Sequence, residues 1–218
     1  MKILICEDHE IYRKGLRLVL EHDFNAIEIL EAEHGDWALD LMKNNKFDLV
    51  LMDIRLPGKN GLFLLYKITL LYPDTKVLML SLYTELQFAR QAFRLGAMGY
   101  LNKNEDSPKI IHAIKTVIRG EKHFSVEVME SMTARHRKDL KKTKHELLSD
   151  YEFMIMLEIA KGKSSAVIAK EMETPVNTLY VHKNHIMNKL EIKTVVDLHN
   201  YCVAQGFLIN CNLREDTI

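Results

Sequence analysis

Through its first 120 residues the chain alternates short apolar runs with longer stretches in which apolar residues recur every three or four positions. Lys2–Cys6, Ala26–Ala32, Asp48–Met52, Lys76–Ser81 and Met98–Leu101 are too short for helices and rich in Ile, Leu and Val. They are predicted as strands. The segments between them, at 9–22, 35–44, 59–71, 84–94 and 107–119, have helical periodicity. In the last, Ile110, Ile111, Ile114, Val117 and Ile118 form one apolar stripe behind Ser107 and Pro108, a fitting helix start. Five successive βα units predict a five-stranded parallel sheet covered on both faces, a doubly wound α/β domain. In such a domain ligand sites lie at the carboxyl ends of the strands.

From Gly120 the pattern changes. Residues 121–147 are basic and poor in apolar residues, with Arg135, Arg137 and Lys138 in one tract and Lys141, Lys142 and Lys144 in another. They read as an interdomain linker with a short helix within 125–140. Residues 148–208 are helical throughout, with no strand candidate. The expected organisation is an α/β domain at 1–120, a linker at 121–147, an all-α domain at 148–210 and a tail at 211–218.

Composition narrows the class. The chain has 218 residues, 47% hydrophobic and 28% charged, which suits two small globular domains with cores of their own. No apolar run approaches the roughly 20 residues that span a bilayer, so no membrane partner is expected. The first residues meet Glu7 and Asp8 too early for a signal peptide. Three cysteines, Cys6, Cys202 and Cys211, form no disulfide framework and suit a reducing cytoplasm. Net charge is zero, but unevenly spread: 15 basic against 16 acidic residues in 1–118, 8 against 5 in 119–147, and 6 against 7 in 148–210. The basic surplus thus lies in the middle of the chain.

The strand ends carry the candidate chemistry. Glu7 and Asp8 close the first strand and Asp53 the third, and in a doubly wound sheet these strands are central neighbours. Three converging carboxylates raise each other's pKa unless a cation sits among them. An all-oxygen cluster with room for water suits Mg²⁺. The fourth strand ends at Ser81, a hydroxyl, and the fifth is followed by Lys103, an ammonium. Singly, each has an ordinary explanation: acids after strands cap helices or form turns, and Ser81 and Lys103 pass for loop residues. Together, at the same end of different strands, they describe a phosphoryl-transfer site, where positioning and charge neutralisation do most of the work.

These residues, with Leu56, Pro57, Gly58, Asn60 and Gly61 after Asp53 and with Gly96, Gly99 and Tyr100 before Lys103, resemble the motif set of response-regulator receiver domains over about residues 1–120. The resemblance implies that Asp53 accepts a phosphoryl group from a sensor histidine kinase. It implies further that Asp8, Asp53 and the backbone carbonyl of Arg55 hold Mg²⁺, with Glu7 assisting through water. Ser81 would hydrogen-bond the phosphoryl group, Lys103 would pair with it, and Tyr100 would be an aromatic switch that turns inward when Ser81 moves. Glu7 stands where the family more often has Asp, and Met98 and Asn104 where acids are common. No required group is missing.

In the C-terminal region Ser149 and Glu152 form a capping-box pattern, and Phe153, Met156, Leu157 and Ala160 follow at helical spacing up to a stop at Gly162. Ser164 caps a second helix carrying Ile168, Ala169 and Met172. Thr174 and Pro175 read as the cap and first residue of a third helix over 175–190, and a fourth runs over 194–206. This is the helix-turn-helix plan. Leu148, Ser149 and Glu152, then Ala160, Gly162 and Ser164, then Ile168 and Ala169, then Thr178, Leu179, Val181 and His182, then Lys189 and Leu190, resemble the LuxR-type module of the NarL/FixJ class.

Projected at 100° per residue, the third helix turns Leu179, His182, Ile186 and Leu190 to the core and Asn177, Tyr180, Val181, Asn184 and Asn188 outward. The resemblance implies that Tyr180, Val181 and Asn184 read bases, with Asn177 beside them, while Thr178, Lys183 and Lys189 touch phosphates. Despite His185 and His199 nearby in sequence, His182 is expected to be a packed residue, not a metal ligand. With only two lysines on this helix, the affinity of one monomer for promoter DNA is expected to be low. Dimerisation on phosphorylation would then supply the rest. The first rival is a constitutive DNA-binding regulator whose receiver dimerises without phosphate. An enzyme of the haloacid dehalogenase phosphatase type is disfavoured, because the second acid it needs two residues after the nucleophile is here Arg55.

Overall fold

The computed structural model describes residues 1–57, 59–82, 86–133 and 143–208. Gly58 of the turn after Asp53, most of the basic tracts of the expected linker, and the 211–218 tail lie outside them. The chain forms two compact units, Met1–His136 and Arg137–Ile218.

The first unit is a five-stranded parallel sheet of order β2-β1-β3-β4-β5, built from β1 (Lys2–Cys6), β2 (Glu28–Ala32), β3 (Leu49–Asp53), β4 (Lys76–Ser81) and β5 (Gly99–Asn102). Its helices are α1 (Glu10–Asp23), α2 (Gly35–Asn44), α3 (Gly61–Leu71), α4 (Leu86–Arg94) and α5 (Ser107–Ile118). Every residue of β3 is buried, as are nearly all of β1 and β4, so these strands read as unbroken apolar runs instead of alternating ones. Ile3, Ile5, Leu49, Leu51, Leu78 and Leu80 share one core cluster with Leu16 and Leu20 of α1 and with Ile110, Ile114 and Val117 of α5. β2 starts two residues later than its apolar run, because Ala26 sits in the left-handed region at φ 53° and breaks the extended backbone.

Residues 121–133, assigned to the linker from composition, fold within the first unit. His123 runs parallel to β5, accepting from Tyr100 N–H at 2.9 Å and donating to Met98 O at 2.9 Å. Phe124 meets Phe93 edge-on at 5.1 Å, and a helix α6 (Val126–Thr133) packs on α4.

The second unit is wholly helical among its described residues: a 3-10 turn (Lys144–Leu147), then α7 (Asp150–Ala160), α8 (Ser165–Glu171), α9 (Val176–Leu190) and α10 (Val195–Ala204). The expected capping box starts α7, with Ser149 N–H donating to Glu152 at 2.8 Å and Glu152 N–H to Ser149 Oγ at 3.2 Å. Gly162 ends that helix at φ +84°. α9 begins one residue later than expected. Pro175 is its extended cap at ψ 140° and not its first helical residue, so Thr174 does not cap it.

Candidate functional site

Parallel register alone assembles the first site. Cys6 pairs with Met52, so Glu7 follows beside Asp53; Asp53 pairs with Leu80, so Ser81 lies one step on; Ser81 pairs with Asn102, so Lys103 follows. The strand order reverses between β1 and β3, which opens a crevice at their carboxyl ends. After Asp53 the chain turns tightly, with Gly61 N–H donating to Ile54 O at 3.0 Å. A Cβ on Gly61 would stand 2.2 Å from the Asp53 carbonyl oxygen, so only glycine lets α3 start this close to the acid. Asn60 caps α3 by accepting from Leu62 N–H at 2.8 Å.

Glu7, Asp53, Ser81 and Lys103 are all buried. Lys103 Nζ lies 2.5 Å from Glu7 Oε2 and 2.8 Å from Asp53 Oδ2, one ammonium between two carboxylates. Burial raises the Asp53 pKa above the ordinary aspartate value and the charge of Glu7 adds to this, against Lys103 and the Arg55 backbone N–H. His9 N–H donates to Glu7 Oε1 at 3.1 Å, and its ring Nδ1 is 3.1 Å from Glu7 and 3.0 Å from Asp8. Ligand atoms of Glu7, Asp8, His9 and Asp53 lie within 4.8 Å of one another, a group able to hold a metal ion. Buried Asp8 Oδ1 makes no hydrogen bond and has the His9 ring nitrogen beside it at 3.0 Å, and carboxylate oxygens dominate the set, which fits a hard divalent cation.

Of the remaining expected residues, the Ser81 carbonyl accepts from Lys103 N–H at 2.7 Å. Tyr100 is half-buried on β5, on the sheet face opposite the core residue Leu101. Arg55 is exposed, and its N–H reaches the Asp53 carboxylate. Sequence reasoning missed His9 and Arg13. Buried Arg13 donates to the Glu7 carbonyl at 2.7 Å, to Glu31 at 2.9 Å and to Glu33 at 2.7 Å, tying the end of β1 to that of β2. Its signal was there: an arginine on the same buried stripe of α1 as Leu16 and Leu20 needs a partner.

In the second unit, α9 packs against α7 and α8 through Leu179, Ile186 and Leu190, all buried. Asn177, Thr178, Tyr180, Val181 and Asn184 are exposed, and Lys183 is half-buried. His182 meets Tyr151 edge-on at 5.2 Å, and the His199 ring nitrogen lies 2.8 Å from Ala160 O. Among the described residues neither of these, nor His185, joins a metal-binding group. Lys189, expected at a phosphate, is tied back into the fold: its Nζ donates to the buried Glu152 carboxylate at 2.7 Å. The oxygen it reaches also completes the α7 capping box.

Residues 3–115 match the response regulator receiver domain family, and residues 146–202 match the bacterial regulatory proteins of the luxR family. The chain is 31% identical over 215 residues to the oxygen regulatory protein NreC of Staphylococcus haemolyticus, covering 95% of this chain and 99% of the relative. It belongs to the response regulators of the NarL/FixJ class. The fold of this response regulator resembles that of RcsB from Salmonella enterica serovar Typhimurium bound to promoter rprA with the phosphomimetic BeF3−. That likeness has a TM-score of 0.69 and 21% identity, over 92% of this chain and 97% of RcsB. It also resembles a LuxR-family response regulator from Aurantimonas sp. SI85-9A1, with a TM-score of 0.56 and 27% identity over 62% of this chain and 96% of that one. Both matched families are signalling modules, not enzymes. Among the described residues of the regulator, no helix is long and apolar enough to cross a membrane.

Proposed function

We propose that Asp53 is the phosphoacceptor of a cytoplasmic, phosphorylation-switched transcription factor. The observation that carries this reading is the buried Lys103 ammonium held between Asp53 and Glu7 at the crevice of a receiver fold. An Asp53 carboxylate oxygen attacks the phosphorus carried on the histidine of a sensor kinase. The P–N bond breaks, and the imidazole leaves with the electron pair. Mg²⁺, held by Glu7, Asp8, Asp53 and the Arg55 carbonyl, would supply charge neutralisation for the transferring group. Lys103 pairs with the new phosphoryl oxygens, and the Ser81 hydroxyl donates to one of them. The movement of Ser81 draws Tyr100 inward.

In the output half we assign base contacts to Tyr180, Val181 and Asn184, flanked by Asn177, with Thr178 and Lys183 at phosphates. Lys189 would reach a phosphate only by leaving Glu152. With so little positive charge on α9, a homodimer formed on phosphorylation supplies affinity for promoter DNA. RcsB, of similar fold, binds promoter rprA in the presence of the phosphomimetic BeF3− and is found as dimers on DNA, which supports this reading. We propose domain limits of 1–120 and 148–210, with 121–147 as the connection, its first part docked on the receiver.

The test is mass spectrometry of purified protein given acetyl phosphate and Mg²⁺. A phosphoryl mass mapping to Asp53, absent from Asp53→Asn, is expected. No phosphoryl mass, or one elsewhere, overturns the assignment.

A further inference from the structure

Tyr12, in the first turn of α1, is an aromatic side chain at the acid pocket for which the expected site has no role. Its ring packs against the core cluster shared by the sheet and α5, and its hydroxyl lies within reach of the charges of Glu7 and Asp53 at the strand ends. Lys103 Nζ sits 5.1 Å from the ring centroid, so the ring flanks the same ammonium that joins Asp53 to Glu7. The hydroxyl oxygen is buried and makes no hydrogen bond. Burial, and then the charges of Glu7 and Asp53, hold its pKa far above the ordinary tyrosine value, so at neutral pH the group is a proton donor. A buried donor lacking an acceptor is costly, and a functional role is one of the few things that account for such a group.

We propose that Tyr12 is a phosphoryl-binding residue of this site, its hydroxyl donating a hydrogen bond to an oxygen of the group on Asp53, beside Lys103. The inference rests on Asp53 being the phosphoacceptor. Phosphorylation adds strong acceptor oxygens on Asp53, whose charge, with that of Glu7, already acts on the Tyr12 hydroxyl. The Lys103 ammonium and the Tyr12 hydroxyl then divide those oxygens between them. The phosphoryl group gains a neutral donor that cannot be lost to a competing ion pair.

Beryllofluoride with Mg²⁺ is the probe, applied to the full chain. Two readouts are taken: the ring-carbon NMR signal of Tyr12, assigned by its loss in Tyr12→Phe, and the beryllofluoride affinity of each protein from fluorine NMR. The Tyr12 signal should move on saturation. Tyr12→Phe should bind beryllofluoride about tenfold more weakly, the effect of losing one hydrogen bond to a charged group. Its thermal midpoint without the probe should be unchanged or higher. A Tyr12 signal that stays put while the wild type binds beryllofluoride overturns the proposal, and so does equal affinity in Tyr12→Phe. A wild type that takes neither beryllofluoride nor a phosphoryl group overturns the Asp53 assignment, and this proposal with it.

Discussion

At the carboxyl end of the sheet, Glu7, Asp53 and Lys103 are buried together, and Lys103 lies 2.5 Å and 2.8 Å from the two acids. On the outward face of α9, Tyr180 and Val181 are each 51% exposed, and Lys189 is turned back to a buried glutamate. One region concentrates charge where solvent cannot screen it; the other presents mostly neutral groups and spends a lysine on its own framework. The first can respond strongly to one added phosphoryl group, because buried charges interact at low effective dielectric. The second can discriminate bases while binding weakly, because phosphate neutralisation, not base contact, supplies most affinity for DNA.

The comparison can be broken most forcefully from beneath α9. Ile186→Ala removes a fully buried side chain from its inner face and should cost the second unit about 2–5 kcal/mol. Urea unfolding followed on the isolated transitions would show it, with the receiver transition unmoved. At the acid pocket, Gly61→Ala forces a methyl against the Asp53 carbonyl. It should cost about 1–3 kcal/mol and slow phosphorylation by acetyl phosphate, because the acid-bearing turn must shift.

Lys189→Met separates framework from phosphate contact. Burial by itself would raise the Glu152 pKa, but hydrogen bonds from Lys189 and Ser149 outweigh it and hold the carboxyl below its usual range. A depressed folded pKa contributes stability that is present above the unfolded value of about 4.3 and is lost as pH falls through the folded one. The variant should lose roughly 1–2 kcal/mol at neutral pH, and the gap from wild type should narrow on acidification below about pH 4. A gap independent of pH would show that Lys189 acts otherwise. The smallest stability change belongs to Tyr180→Ala, within about 0.5 kcal/mol. Its selectivity among DNA sequences should nonetheless fall by about 1–3 kcal/mol at the contacted base.

How far these regions were legible in the sequence follows the same division. The strand ends announced Glu7, Asp8, Asp53, Ser81 and Lys103, because the unbroken four-residue apolar runs of β1, β3 and β4, and the short β5, fix where each strand stops. Arg13 and Tyr12 stayed hidden, since both lie inside a helix and act through contacts that cross to β1 and β5. The residues after Gly120 read as a linker because they are polar, yet backbone pairing of His123 with β5 holds them to the sheet edge, and backbone bonds leave no mark in composition. The faces of α9 followed from its period, but the capture of Lys189 by Glu152, 37 residues earlier, did not.

Control of the α9 face by a phosphoryl group on Asp53 joins the two regions. It is tested most directly by selecting tight-binding duplexes from a random DNA pool, then measuring affinity for them with and without beryllofluoride and Mg²⁺. Binding should be at least about tenfold tighter with beryllofluoride, a modest allosteric coupling, steeply salt-dependent, with no such gain in Asp53→Asn. Equal affinity in both states, with beryllofluoride bound at Asp53, would contradict it.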